Sequence, residues 1–334
     1  MITFETAWQQ ALYGPAGFYR RAEPAEHFRT SVGAGRLLAS AVARLAEGAG
    51  LHRVVDVGSG RGALLADLHA LAPGLDLVGV DVVPRPAALP DRIEWVQSPG
   101  GAALPAGLPL DGALVLAHEW LDDVPCPVVE RDEDGRWRTV LVEPGSWSRT
   151  LGAAPSPAEL EWLHRWWPVP PGGGEPGERA EVGLARDRAW AELVRAAPAS
   201  LLVAVDYTHH RTDRPPGGSL IGYRDGAACP PVPDGACDVT AHVALDAVAA
   251  AGTAAGAART VLVDQRTTLR ALGIDGRLPD HALAGTDALG YLEGVTRASQ
   301  AAELLDPAGL GGFGWLLQTT PGGQADALLD MVGG

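Results

Sequence analysis

Cysteine is scarce in this chain: only Cys126, Cys229 and Cys237 occur in 334 residues, none at the short paired spacing that zinc or redox motifs use. No metal site is expected on that ground, and a reduced, cytoplasmic setting fits. Basic side chains are also few, 26 against 41 acidic ones, and the net charge of -15 repels a polyanion and works against counterion release at phosphates. Nucleic acid is therefore set aside as a partner. The same acidity serves solubility and is able to draw in a cationic substrate. Residues 1–19 lack a basic n-region and an apolar h-region, which predicts no signal peptide. No uncharged apolar run reaches the ~20 residues of a membrane span, so no membrane association is expected. Neither an internal repeat nor a sustained heptad is found.

What the chain does have is a strand and helix alternation over a hydrophobic content of 46%, enough for a substantial core. After a loop-like start, Thr30 or Ser31 is placed to cap a helix carrying Leu37, Leu38, Ala41, Val42 and Leu45, stopped by Gly48 and Gly50. Arg53 to Val57 reads as a first strand, Ala63 to Leu71 as a helix, and Leu75 to Asp81, Ile93 to Val96 and Gly112 to Ala117 as further strands covered on both faces. Val128 to Arg131 and Trp137 to Val142 flank the turn Asp132-Glu133-Asp134-Gly135, which predicts a β-hairpin insertion over 127–143. Residues 144–180 are rich in proline and glycine and read as a loop or lid, apart from a helix over Pro157 to Trp166. A helix from Glu181 to Ala196, a strand from Ser200 to Asp206, a helix from Val243 to Ala251 and strands at Thr260 to Asp264 and Phe313 to Gln318 complete the pattern. The fold class is α/β: a mostly parallel seven-stranded sheet with helices on both faces, plus hairpin and helical insertions. The division expected is a helical segment at 1–50, a cofactor domain at 51–320 with a helical insertion at 266–305, and a tail at 321–334.

The segment Asp56-Val57-Gly58-Ser59-Gly60-Arg61-Gly62 lies where the first strand feeds a helix, and glycines there let backbone approach a ligand closely. Gly58, Gly60 and Ala63 also satisfy the dinucleotide pattern, with Asp81 about the ~20 residues downstream expected of a ribose-binding acid, so the turn alone leaves a nicotinamide dinucleotide open. Asp56 tilts the reading to S-adenosylmethionine (SAM), because a carboxylate two residues before the first glycine accepts hydrogen bonds from an amino acid ammonium but repels a pyrophosphate. The cofactor-binding candidates are Asp56, Gly58, Ser59, Gly60 and Gly62 of the turn, Asp81 and Val82 after the second strand, Gln97 at the third and Ala117 at the fourth.

In open α/β sheets ligands collect beyond the carboxyl ends of the strands, which puts His118, Glu119 and Asp122 at the rim as catalytic candidates. Methyl transfer mainly requires alignment and exclusion of water, with a base only where the acceptor holds a proton. Against a guanidinium, Glu119 supplies paired charge-assisted hydrogen bonds and Asp122 negative field. A helix-capping role for Glu119 and Asp122, and a hydrogen-bonding role for His118, stay open. Asp206, Asp238 and His242 stand second, with Asp238 read first as the cap of the helix that Val243 begins. His209-His210 lacks a third ligand at a recognisable spacing, and Trp166 and Trp167 read as anchors against the core.

Asp56 to Gly62 resembles the first motif of class I SAM-dependent methyltransferases, and several further segments, taken in order, resemble their MidA-like branch, which includes the mitochondrial complex I assembly methyltransferase. Those segments are Tyr13-Gly14-Pro15 with Gly17-Phe18-Tyr19, Phe28-Arg29-Thr30-Ser31, Ala117 to Pro125, Asp206-Tyr207, Asp238 to Val243, Leu272 to Asp275 and Phe313 to Gln318. The resemblance implies a class I methyltransferase sheet and, from the mitochondrial member, methylation of a protein arginine. The chain departs from that family at His118, usually asparagine, and at Asp123, usually small, both on the substrate-facing edge. The function expected is methyl transfer from SAM to a protein side chain, arginine first; a small-molecule acceptor, and a SAM-binding assembly protein with little activity, remain alternatives, and a homodimer stays open. The alanine and glycine richness is compatible with a high-GC bacterial source.

Overall fold

A computed structural model describes residues 1–21, 36–168 and 174–334. Its centre is a seven-stranded sheet whose strands, in chain order, are β1 (Arg53–Val57), β2 (Asp76–Asp81), β3 (Glu94–Gln97), β4 (Ala113–His118), β5 (Leu201–Asp206), β6 (Arg259–Asp264) and β7 (Gly314–Thr319). They lie in the order β3-β2-β1-β4-β5-β7-β6. Every neighbour is parallel except β7, which runs antiparallel between β5 and β6. The strand runs read from the sequence match within about a residue at each end, as hydrogen-bonding boundaries usually do.

The helices used below are α1 (Phe4–Tyr13), α2 (Leu37–Gly48), α3 (Ala63–Leu71), α4 (Pro157–Trp166), α5 (Leu184–Ala196), α6 (Leu245–Ala254), α7 (Gln265–Ala271), α8 (Ala288–Leu304) and α9 (Asp326–Gly333). Side chains alternate across the sheet with the two-residue period of a strand. Val54, Leu114, Leu116, Leu201 and Val203 pack on α2, α3 and the C-terminal helices, whereas Val55, Val115, Leu202 and Leu316 pack on α5 and α6. Burial on both faces explains why these strands read as continuous apolar runs. Gln318, buried in the sheet, is paired: it accepts from Trp190 Nε1 at 2.7 Å and donates to Ala249 O and Thr260 Oγ1. Among the described residues no helix is long and apolar enough to cross a membrane.

Several expectations need correction. The start is not loop-like: Thr3 Oγ1 caps α1 by accepting from the Thr6 amide, and Phe4, Trp8 and Leu12 bury one face at helical spacing. The hairpin Val128–Arg131 and Trp137–Val142 forms at the residues expected, but as the middle of a larger antiparallel sheet with Ile2–Thr3, Arg149–Leu151 and Arg179–Glu181. Residues 144–180 therefore carry strand as well as α4, and Glu181 ends a strand instead of opening α5. Val243–Ala244 likewise pairs with Thr208–His209 before α6 begins. The stretch after 320 is no loose tail, because α9 buries Leu328, Leu329 and Val332 in the core. The expected cap at Thr30 or Ser31, the segment Phe28 to Ser31, and Pro170 to Gly173 lie outside the described residues. Between 266 and 305 lie most of α7, the turn of helix Leu283–Thr286 and α8, with 274–282 outside any helix.

Leu316 is fully buried in the middle of the sheet, whereas Leu289 on α8 is 75% exposed. Leu316→Ala is expected to lower the unfolding free energy by about 2–5 kcal/mol in urea titration, and Leu289→Ser by no more than about 0.5 kcal/mol.

Candidate functional site

The strand order reverses between β1 and β4, and the crevice beyond their carboxyl ends opens into a cavity of about 340 Å³. Its walls bring together most of the residues the sequence singled out: Asp56, Gly58, Ser59 and Gly60 from the turn after β1, Asp81 and Val82 from β2, and His118, Glu119 and Asp122 from the loop after β4. Three other candidates stand behind the wall. Gly62 serves as the left-handed N-cap of α3 against Leu89, Gln97 turns its amide to Val82 O at 2.9 Å, and Ala117 is fully buried between β1 and β5.

The turn is shaped by its own polar groups. Ser59 Oγ donates to Asp56 Oδ2 at 2.6 Å, and Asp81 accepts from the Gly60 amide at 2.8 Å and the Val83 amide at 3.1 Å. Burial pushes the Asp56 carboxyl up to about 7 despite the Ser59 hydrogen bond. Burial likewise raises Asp81 against the pull of its backbone donors. Gly58 has φ of +78°, and a Cβ there would stand 3.0 Å from Trp120 Cβ, so conformation and space both demand glycine.

The opposite wall is acidic. Glu119 itself adopts a left-handed φ of 50°, uncommon for a residue with a side chain, and its amide donates to Val205 O at 2.8 Å. His118 ends β4 with Nδ1 3.6 Å from Glu119 Oε1, and desolvation lowers its pKa to about 4, leaving a neutral imidazole. The loop that follows is held from below. Asp206 at the end of β5, fully buried, accepts the amides of Leu121 at 3.1 Å and Asp122 at 3.2 Å through Oδ2. Arg186 on α5, 1% exposed, donates to the carbonyls of Asp122, Val124, Ala241 and His242. Asp122 Oδ2 accepts from Thr240 Oγ1 at 2.8 Å, and its carboxyl is raised by desolvation.

From sequence alone the aromatic side of the cavity carries no site role, although Tyr13, Tyr19 and Tyr207 lie in segments that carry the family resemblance. Tyr13 and Tyr19 reach it from the N-terminal segment, where Tyr13 Oη donates to Asp123 O at 3.1 Å. Gly100 admits the Tyr13 ring, since a Cβ there would lie 2.3 Å from it. Tyr207, Tyr223 and Thr240 complete the wall. Asp238 is not a helix cap: it sits on the strand Asp238–Thr240, 1% exposed, and accepts from Tyr19 Oη at 2.8 Å. His242 stacks on Tyr207 outside this cavity, and His209 packs against Trp167, which is itself core. Among the described residues no three metal-ligating side chains are grouped to hold an ion.

An α/β protein whose sheet reverses over an acid-lined, glycine-turned cavity belongs to the nucleoside-cofactor class. Residues 69–263 match the family of S-adenosyl-L-methionine-dependent methyltransferases, and the chain belongs to that family, with SAM as its cofactor. Two crystal structures from Burkholderia thailandensis share the fold. One is a superfamily member bound to S-adenosyl-homocysteine, 24% identical with a TM-score of 0.78, covering 99% of this chain and 90% of that one. The other is the native structure of a protein of the same superfamily, 23% identical with a TM-score of 0.74, covering 99% and 89%. No curated protein matches the chain significantly.

Gly58→Ala tests the turn. The left-handed φ costs a side chain about 1–2 kcal/mol before any clash, so affinity for S-adenosyl-homocysteine is expected to fall about tenfold or more with the far-ultraviolet dichroism unchanged. An unaltered dissociation constant would contradict the assignment.

Proposed function

We propose that the cavity seats SAM between the β1 turn and the end of β2, and that the chain methylates a protein side chain, arginine first, presented at the acidic wall. The order β3-β2-β1-β4-β5-β7-β6 with one antiparallel strand supports a class I methyltransferase sheet. In this reading Asp81 accepts the ribose hydroxyls, Asp56 with Ser59 faces the amino acid end, and Gly58, Gly60 and Val82 line the nucleoside. Gly62, Gln97 and Ala117 hold those residues in place from behind. The residues fit a cationic nucleoside: Asp56 is a buried carboxyl on the cavity wall beside the glycine turn, where a dinucleotide pyrophosphate would be repelled, and Asp81 suits the ribose.

The cofactor supplies an electrophilic methyl group on a sulfonium and leaves as S-adenosyl-homocysteine, while the chain's own residues align the acceptor nitrogen, whose proton passes out to solvent. One observation carries the choice of acceptor: the wall opposite the turn holds Glu119, Asp122 and Asp123, the chemistry that recognises a cation. Glu119, turned inward by its left-handed backbone, clamps the acceptor guanidinium, and Asp122 adds negative field. His118, neutral by burial and facing Glu119 through Nδ1, remains the base for a less basic acceptor.

Labelled methyl from SAM, added with the protein to a cell lysate, is expected in the protein fraction. Glu119→Gln is expected to lower that incorporation about a hundredfold with SAM affinity intact. Label confined to small molecules would overturn the protein acceptor, and full turnover by Glu119→Gln would remove Glu119 from the role.

A further inference from the structure

Tyr19 Oη touches two carboxyls at once, Asp123 Oδ2 and Asp238 Oδ1. A phenol has one proton to donate and therefore satisfies one ionised carboxylate. Both contacts are hydrogen bonds only when one of the two carboxyls carries a proton and donates to the phenol oxygen. The surroundings favour that state. Tyr13 on α1 has its ring 5.6 Å from that of Tyr19, Asp122 faces Asp123 and Asp238 from the loop after β4, and Asp206 faces Asp123 from β5, while Glu119 and Tyr207 line the same cavity. Tyr223 approaches from the strand Ile221–Arg224, and Asp81 from β2. Arg186 offsets part of this charge from α5, but its donors are committed to carbonyls, and Arg21 donates to Gly235 O.

Two oxygens of this group are left over. Asp122, 5% exposed and on the cavity wall, has Oδ1 without a hydrogen-bond partner among the described residues, and so does Asp123 Oδ1. A buried carboxyl oxygen without a donor is costly, and a donor-rich cation entering the cavity would satisfy both.

We infer that Tyr19, Asp123 and Asp238 form a proton-holding triad that exchanges its proton for the cationic group of the acceptor, making Tyr19 and Asp238 specificity-determining residues of the acceptor site. The inference rests on the methyltransferase reading of the same cavity. No covalent bond changes in the exchange: the guanidinium N–H groups take the place of the carboxyl proton as donors, and that proton leaves to solvent or buffer. Burial supports the state at rest: it pushes Asp238 up to about 8 and raises Asp123 as well, where Asp122 and Asp238 add to the effect, so the pair holds a proton between them. The sign follows from linkage. A group protonated when empty and ionised when filled makes cation affinity rise with pH below its own pKa and level off above it. Ordinary carboxylates, ionised well below pH 6, would leave affinity flat over the same range.

The test uses the protein saturated with S-adenosyl-homocysteine, so that the nucleoside half is filled, and titrates it calorimetrically with ethylguanidinium and with neutral ethylurea between pH 6 and 9. Ethylguanidinium affinity is expected to climb by up to roughly tenfold per pH unit between pH 6 and 8, with protons released to buffer, while ethylurea shows no pH dependence. Asp238→Asn puts an amide N–H on Tyr19 Oη in place of the held proton, leaving Asp123 the phenol as donor, and is expected to abolish the dependence and the proton release. Tyr19→Phe removes the hydrogen bond that holds the Asp238 carboxyl down and is expected to move the midpoint to higher pH. Ethylguanidinium binding that is flat with pH, or that releases no proton, overturns the triad while leaving the methyltransferase reading standing. Absence of ethylguanidinium binding at every pH overturns the triad and the cationic acceptor together. Failure of S-adenosyl-homocysteine to bind at the outset overturns both at their shared base.

Discussion

The site depends on one buried arrangement, the anchoring of the loop after β4. Arg186 and Asp206 lie beneath that loop, both essentially inaccessible, the one donating to its carbonyls and the other accepting its amides. Burying a guanidinium and a carboxylate is expensive unless their hydrogen-bonding groups are met, and here backbone meets most of them. The same guanidinium reaches the carbonyls of Ala241 and His242, so it ties the β4 loop to the segment that carries Asp238 and Thr240. Every acidic side chain on the acceptor wall therefore takes its position from this anchoring. Each hydrogen bond between such a group and backbone is worth about 1.5–3 kcal/mol, and several act on this one loop, so the wall is held firmly.

Rigidity on one side meets close approach on the other. The turn after β1 brings backbone to the cavity through glycines at positive φ, and Asp81 fixes the turn from the neighbouring strand through the Gly60 amide. The N-terminal segment then closes the cavity from outside the sheet. Trp8 Nε1 donates to Val239 O at 2.6 Å, so α1 is fastened to the strand bearing Asp238, and Tyr13 and Tyr19 reach the acid wall as a result. In the proposed reading, specificity and cofactor binding come from different parts of the chain, which suits a fold that hosts many acceptors on one scaffold.

The sequence revealed those features whose cause is local. Strands β1, β4 and β5 are apolar on both faces, and the glycine turn lies in one contiguous stretch, so the sheet and the turn that lines the cavity were readable directly. Helix α1 was legible too, in Thr3 and the spacing of Phe4, Trp8 and Leu12, but the glycines and proline after Tyr13 masked it. Strands of two or three residues such as Ile2–Thr3 and Arg179–Glu181 carry no periodicity to detect. Asp238 was misread because an aspartate a few residues before an apolar run looks like a cap, whereas its real partner, Tyr19, is 219 positions away. Asp123 was noticed only as a departure from the family, and its pairing with Tyr19 is a product of tertiary structure alone.

The most direct test of the account is the S-adenosyl-homocysteine affinity of Asp81→Ala compared with the unaltered chain, by calorimetry. Loss of the ribose acceptor and of the Gly60 anchor is expected to weaken binding by about 10- to 100-fold, the 1.5–3 kcal/mol of hydrogen bonding to a charged group, with thermal unfolding still cooperative. Equal affinity in the two proteins would place the nucleoside elsewhere and contradict the assignment of this cavity.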